Sequence, residues 1–510
     1  MVNLTMIIDG IPELNCLDMK ASKTRIKAHQ ISLPVRKKIF KKYFLVSCIV
    51  AASNVLWVSN PLISYIIIIL QLSVLFICYL KNNITEYMAY YALFICNCLE
   101  FPELLGSGIG YDLKNVRILG INLGIWILIP VIMKVCTQKI HIGKIKKEHF
   151  LFYKISFGLL FMNIIATIIG ILLIILNDNG ILGMHGIIGS YIKTLYSMAF
   201  LPVAFCMGFY YIYMYERKSS VKIALALQAV LFGTVFQQLI SLIFGLRGMY
   251  SADLSILLES VVSIFIPMLL IIGIDKNNAV YPKISVMAAT VGIILELRFT
   301  SSGKFILLVG FLIFIGLLHL MKKKNLVVII LIAAIVFILP VLIQKMIVEN
   351  RLFAAKLGQV MGFVKFWETG WLDKMPKSPK IRIAEILNIC IEYLNKPWLF
   401  LTGKGYVGSI RDYLHMFGTQ STTLGAFSRL EWENGLFFNM HEIASNFLMF
   451  GFMGIVYTGN IIVATIKRYK SNIWIVVGGF WFLVFYGYSF TIGVFGIMAL
   501  FYGAQSYGKE

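Results

Sequence analysis

The residues of this chain best suited to chemistry stand in three short groups. The first is His441-Glu442 with Ser445 and Asn446 close behind. An imidazole can accept a proton near neutral pH, so His441 is a candidate general base toward a sugar hydroxyl, with Glu442 as the next candidate. Asn446 falls about one helical turn deeper. The plainer role for such a histidine is a polar anchor where a helix enters a membrane. The second group is Arg382 and Glu385, one turn apart, with Lys404 in the tight turn Gly403-Lys404-Gly405. A forked guanidinium matches a diphosphate; the plainer role is a surface ion pair at i,i+3. The third is the hairpin from Arg298 to Lys304, which includes Ser301, Ser302 and Gly303. Its hydroxyls, backbone N–H groups and two bases suit a phosphate at a helix end; the alternative is two long bases snorkelling to an interface. Arg429, Glu431 and Glu433, just before His441, are weaker candidates. The chain has no HExxH motif, Walker A loop or dinucleotide loop, and Glu431-Trp432-Glu433 is its only closely spaced acidic pair of the kind used with metals. The expectation is therefore metal-independent chemistry with no cofactor.

These groups must be held by membrane helices. Apolar residues make up 59% of the 510, charged residues only 14%, and the mean hydropathy is +0.83. That much apolar surface requires lipid. At about 20 apolar residues per span the runs give about 14 spans, near 44–60, 62–80, 86–104, 117–136, 152–176, 190–214, 222–246, 255–274, 281–297, 304–321, 325–347, 440–466, 472–489 and 491–507. The fold class is thus an all-α polytopic integral membrane protein. Met1–Gln30 lacks an apolar stretch with a cleavage site, so the first span is expected to direct insertion. The net charge of +22 invites a nucleic-acid reading. Its location argues against one, because the bases crowd into alternate short loops, where they set topology and meet anionic lipid. Arg36–Lys42, Lys81, Lys139–Lys147, Glu216–Lys222, Asp275–Lys283, Lys322–Lys324 and Arg468–Lys470 all fall on one side, with both termini cytoplasmic. Lys114, Arg117, Arg247, Arg298 and Lys304 fall on the other. The eight cysteines form no CxxC pair and read as small packed hydrophobes.

The organisation is an N-terminal segment 1–43, a bundle of about 11 spans over 44–347, one large extracytoplasmic segment 348–439, and about three spans over 440–510. The stretch Glu349–Met440 is the one long water-facing interval, carrying 11 basic and 8 acidic residues. Within it, Ser378-Pro379 reads as an N-cap followed by Pro at the first helical position. Ile383, Ile386, Leu387, Cys390 and Leu394 follow helical spacing, with Arg382, Glu385, Glu392 and Lys396 on the polar side. An amphipathic helix over Pro379–Asn395 is expected on the membrane surface or over the bundle. Gly418–Asn434 reads as an irregular flap.

At these residues the chain resembles the O-antigen polymerase and O-antigen ligase superfamily of bacterial surface-polysaccharide assembly. The resemblance is carried by Thr300-Ser301-Ser302-Gly303, by Arg382 through Gly403-Lys404-Gly405, and by His441 through Gly451-Phe452-Met453-Gly454. It covers about 296–456 by motif and the rest by topology alone. The family often has Ser-Arg-Gly in the hairpin, where this chain has Ser302-Gly303-Lys304. It usually has Asn after the histidine, where this chain has Glu442. The resemblance implies a glycan on polyprenyl diphosphate as substrate, the bacterial cytoplasmic membrane as location, and a chain-length regulator as a partner. It also implies roles. Arg382, with Arg298 or Lys304, would neutralise the leaving diphosphate, and His441 or Glu442 would be the base. Ser302, Glu385, Lys404, Arg429 and Asn446 would bind substrate. The ligase activity and a flippase for the same lipid-linked unit are the alternatives.

Overall fold

Where the sequence marks the ends of an apolar run, a continuous helix forms. Asn60 caps the run that follows it, its side chain accepting from Ile63 N at 3.2 Å, and Pro61 occupies the first helical position. The computed structural model describes residues 32–57, 60–99, 112–118, 121–137, 150–176, 219–251, 254–274, 279–300, 367–375, 377–406, 408–418, 427, 429–438 and 440–468, with a few single positions between 344 and 361. These residues are mostly helical: α1 (Leu33–Trp57), α2 (Pro61–Leu80), α3 (Ile84–Cys96), β1 (Arg117–Ile118), β2 (Ile121–Asn122), α4 (Leu123–Trp126), α5 (Ile129–Thr137), α6 (Phe150–Ile175), α7 (Ser219–Ile243), β3 (Arg247–Ser251), β4 (Leu254–Leu257), α8 (Ile266–Gly273), α9 (Pro282–Leu295), α10 (Trp371–Lys374), α11 (Lys377–Leu394), α12 (Leu399–Thr402), α13 (Arg429–Asn434) and α14 (Glu442–Arg468). Helices α1, α2 and Val221–Ile243 of α7 are long and apolar enough to cross a membrane. The two strand pairs, β1–β2 and β3–β4, are antiparallel hairpins.

Several expected spans take a different form. Arg36–Lys42 is the opening of α1 itself, not a loop before it. The run 86–104 is helical only to Cys96. Asn97 folds its amide back on Leu93 O at 2.6 Å and reaches Ser47 Oγ at 3.0 Å, and Leu99 leaves the helix to bridge Ser260. The run 117–136 starts as a hairpin and continues as two short helices. Carbonyls at that break are met by tyrosines of α3, Tyr91 OH donating to Gly124 O at 2.8 Å and Tyr87 OH to Ile127 O. The run 255–274 holds β4, a 3₁₀ turn over Ser263–Phe265 and the short α8. Backbone groups freed where an apolar helix breaks need partners inside the protein, and the carbonyls of Gly124, Ile127 and Leu93 find them in Tyr91, Tyr87 and Asn97. The runs expected at 190–214, 304–321, 325–347, 472–489 and 491–507 lie outside the described residues.

The first bundle packs around α7, which contacts α1, α3, α8 and α9. Small residues permit the approach: a Cβ on Gly233 would lie 2.2 Å from Ser47 Oγ. The basic ends of these helices gather together. Lys222 Nζ is 3.0 Å and Lys42 Nζ 3.7 Å from the Glu86 carboxylate, and Lys134 Nζ is 2.5 Å from Asn82 Oδ1. At the far end Val55, Leu99, Ile240 and Leu258 form a separate cluster.

The second group is α6, α11, α12 and α14. Helix α14 is broken at Gly451 (φ 58°, ψ −149°). The Gly403-Lys404-Gly405 turn inserts there, between α14 and α6. Lys404 N donates to Leu448 O at 2.7 Å and Gly405 N to Met449 O at 3.0 Å. From α11, Tyr393 OH reaches Phe447 O at 3.0 Å and Leu448 O at 2.9 Å. A Cβ on Gly403 would meet the backbone of Met449 and Phe450 at 2.5 Å, and one on Gly405 would meet Ala166 O at 2.2 Å. Both glycines have positive φ, so here the absence of a side chain is a steric necessity.

Candidate functional site

Helix α11 matches the expected amphipathic helix in extent to within two residues, but it is turned differently. Ile386, Leu387 and Leu394 of the apolar stripe point outward, 37%, 39% and 68% exposed. The inward side carries Ile381, Ala384, Glu385, Asn388, Ile389 and Tyr393, and Glu385 is completely buried. Apolar periodicity in a membrane protein marks lipid as readily as core, because acyl chains are as apolar as Leu.

Burying a carboxylate is costly unless it is hydrogen-bonded, and the partner of Glu385 is His441. Glu385 Oε1 lies 2.5 Å from His441 Nδ1, and its Oε2 accepts from His441 N at 3.1 Å. Both bonds go to one residue, so the imidazole is fixed in position and orientation. When the Glu385 carboxylate accepts from Nδ1–H, the Nε2 of the neutral ring is an acceptor. The imidazole is about one-quarter exposed. Below it, Phe417, Phe427, Phe437 and Trp432 form an aromatic cluster with centroids 4.7–5.0 Å apart along the Phe417–Phe427, Phe417–Phe437, Phe427–Phe437 and Trp432–Phe437 contacts. The Phe427 ring meets the imidazole edge-on at 6.3 Å. The strand-like stretches that shape this wall are joined by reciprocal Ile410–Phe437 bonds of 2.9 Å. Buried Glu431 ties Phe438 N at 2.8 Å. The segment expected to be an irregular flap therefore includes α13 and a buried aromatic anchor.

A second polar pair orders the wall. Asn388 Nδ2 donates to Asp412 Oδ1 at 3.0 Å, and Asn388 Oδ1 accepts from Leu414 N at 3.1 Å. Asp412 also accepts from Met416 N at 3.1 Å and Phe417 N at 2.9 Å. Neither residue stood out in the sequence, since no local motif signals a pairing 24 positions apart.

Glu385 and His441 are thus brought together. Arg382 precedes Glu385 by one turn and is half-buried, so it neighbours the pair on the helix surface. Asn446 is buried on α14 beside Gly454. Lys404 is engaged elsewhere. It is nearly buried, with Nζ 2.5 Å from Glu392 Oε1 and 2.8 Å from Ser409 O. Tyr413 OH bonds the other oxygen of Glu392. Burial and that bond raise the Tyr413 phenol to about 12. The N–H groups of Lys404 and Gly405 are likewise spent on α14 carbonyls, so this glycine turn closes a helix break instead of opening toward an anion. Arg298 is exposed in a π-helical turn, Glu296–Thr300, that continues α9 and contacts β4 at the end of the bundle away from the lysines. Glu442 opens α14 and Arg429 opens α13, but their side chains lie outside the described residues, as do Ser302 and Lys304. Among the described residues no three His, Cys, Asp or Glu side chains are grouped to hold a metal ion.

Geometrically, the arrangement is a carboxylate-oriented histidine immediately before the long helix α14. Such a pair can accept a proton at Nε2 and stabilise the resulting imidazolium. No family model, curated protein or solved structure matches the chain.

Proposed function

We propose that the chain is a surface-polysaccharide polymerase of the bacterial cytoplasmic membrane. It transfers a growing glycan from polyprenyl diphosphate to a lipid-linked repeat unit at the extracytoplasmic face. The observation that carries the reading is the Glu385–His441 pair. His441 Nε2 takes the proton of the acceptor hydroxyl as the hydroxyl oxygen attacks the anomeric carbon and the glycosidic bond to diphosphate breaks. Glu385 holds the tautomer and balances the charge gained by the ring. Arg382 offsets the charge appearing on the diphosphate, a type of stabilisation that often dominates such barriers. Deletion of the gene in its host, followed by gel analysis of surface polysaccharide, tests the assignment. A single repeat unit on the acceptor, with no ladder, supports a polymerase. A bare acceptor with long chains left on the lipid carrier makes the protein a ligase, with the same chemistry.

One observation favours the flippase alternative. Helix α7 buries Gln228, Thr234, Gln237, Gln238 and Ser241 completely, and it packs against breaks after α3, before α8 and after α9. Interrupted helices around buried polar side chains are a feature of transporters. Repeat units trapped on the cytoplasmic side of the deletion strain would establish that reading and remove the catalytic role of His441.

A further inference from the structure

The end of the first bundle remote from the Glu385–His441 pair in sequence carries an open groove of about 480 Å³, within the range of ligand sites. Its rim is basic: Lys37, Lys38 and Lys41, exposed on successive turns of α1. Its walls are apolar: Phe44, Phe232 and Tyr281, with Phe40 at the base and Ile284 on α9. The rings are mutually packed. Phe40 and Phe44 lie 5.7 and 5.5 Å from Phe232, and Phe40 lies 6.0 Å from Tyr281. Yet Phe44, Tyr281 and Ile284 remain 37%, 43% and 51% exposed. Tyr281 holds a left-handed conformation (φ 56°, ψ 53°) immediately before α9. That conformation is unfavourable for a bulky residue, and it sets the ring under Lys37 Nζ at 5.4 Å.

Charge at this end is unbalanced in a specific way. Glu86 is taken by Lys42, Lys222 and the Tyr43 hydroxyl, the last at 2.9 Å. Among the described residues no carboxylate pairs with Lys37, Lys38 or Lys41. Scattered topogenic lysines would need no walls. Here three ammonium groups stand over one apolar trough.

We propose that this groove binds one anionic diacyl phospholipid of the leaflet it faces. The phosphate lies among Lys37, Lys38 and Lys41, and the acyl chains run along Phe44, Phe232 and Ile284. The site is independent of the transfer chemistry and would bridge α1, α7 and α9.

The test uses the full chain in nanodiscs of phosphatidylcholine containing a minority of phosphatidylglycerol, with retained lipid counted by native mass spectrometry. The wild-type chain should keep one phosphatidylglycerol. The double variant Lys38→Gln/Lys41→Gln should lose it with an affinity drop of about 25-fold, taking about five-fold per lysine near a membrane surface. Ile284→Asn, which keeps every charge, should weaken retention as well. A control pair on α11 and beyond it, Lys380→Gln/Lys396→Gln, should leave retention unchanged. Equal retention of the two lipids by the wild-type chain overturns the proposal, as does an equal loss in the control pair. Displacement of the lipid by glycerol 3-phosphate alone also overturns it, because the groove would then recognise a soluble phosphate.

Discussion

The first bundle and the α11–α14 region both bury polar side chains in an apolar setting, but they use them differently. In the first bundle the side chains repair the backbone. Gln228 Nε2, with two N–H groups, lies within hydrogen-bond distance of Gly273 O, Val280 O and Ser285 Oγ, and its Oε1 accepts from Val280 N, closing the gap between α8 and α9. Asn97, Tyr87 and Tyr91 do the same at other breaks. In the second region the break at Gly451 is closed by the backbone N–H groups of Lys404 and Gly405 together with the Tyr393 hydroxyl. Glycine supplies that closure because it lets two chains approach. The His441 side chain takes no part in that repair, and its Nδ1 is held instead by Glu385. Buried polarity in a membrane protein is therefore not by itself a sign of function. What distinguishes the two regions is how much of the repair falls to inserted backbone N–H groups.

The largest test of this contrast is at the pair itself. His441→Ala and Glu385→Gln should each reduce chain extension by about 10²–10⁴-fold, the usual value of a positioned base, with normal protein levels in the membrane. Glu385→Gln is the sharper variant. It keeps the size of the side chain but offers an amide N–H where an acceptor is needed, so it disturbs the imidazole without emptying the site. Unchanged polysaccharide ladders in both variants would remove the pair from the mechanism.

The glycine wedge comes next. Gly405→Ala should destabilise the protein by about 2–5 kcal/mol, combining a left-handed alanine with overpacking against Ala166 and Gly170. Gly435 also has positive φ, 61°, but nothing lies within 4 Å of where its Cβ would be. Gly435→Ala should therefore cost only the conformational part, about 1–2 kcal/mol. Thermal unfolding in detergent separates the two. Equal losses would mean that the turn at 403–405 is not wedged between α6 and α14.

The two regions also differ in how much of them was legible. His441, Glu385, Arg382 and Lys404 all stood out as chemistry-bearing residues. That Glu385 turns inward to His441, 56 positions away, did not, because the apolar stripe of α11 suggested the opposite orientation. Hydrophobic periodicity separates water from everything else but not protein from lipid. The glycine turn misled for a related reason. Gly-Lys-Gly has the composition of an anion-binding loop, and only the neighbouring helix reveals that its N–H groups are already used. In the first bundle, length and hydropathy found α2 and α7 well but placed the start of α1 at 44, when the helix begins at Leu33. They passed over the breaks at Asn97 and around Ser260, since these are made by contacts between distant segments and not by Gly or Pro punctuation.

A smaller effect probes the repair function of the first bundle. Gln228→Leu keeps the volume roughly constant and removes the two donated bonds and the accepted one. At an average of about 0.6 kcal/mol per hydrogen bond inside a membrane, the loss should be about 2 kcal/mol. Turnover per folded molecule should stay unchanged. A selective loss of turnover at full stability would move this residue out of the repair class and favour the transporter reading of α7.

The smallest effect concerns Tyr413, at the outer end of the Lys404–Glu392 tie. Its phenol is raised to about 12 by burial and by its bond to Glu392, so the fold favours the protonated form. A group whose folded value lies above its unfolded one contributes stability that is complete below the unfolded value, near 10, and is lost as pH rises through the folded value. Tyr413 is 38% exposed, so Tyr413→Phe should change stability at pH 7 only slightly, because Lys404 still holds Glu392. Tyrosinate absorbance near 295 nm, followed between pH 9 and 12.5 as the difference between wild-type chain and Tyr413→Phe, isolates this one phenol. A late-titrating tyrosine missing from the variant places Glu392 between Lys404 and Tyr413, with its charge shared in structure. An ordinary titration near pH 10 would detach Tyr413 from Glu392, leave one carboxylate oxygen available at the surface, and reopen a substrate-facing role for the Lys404–Glu392 pair.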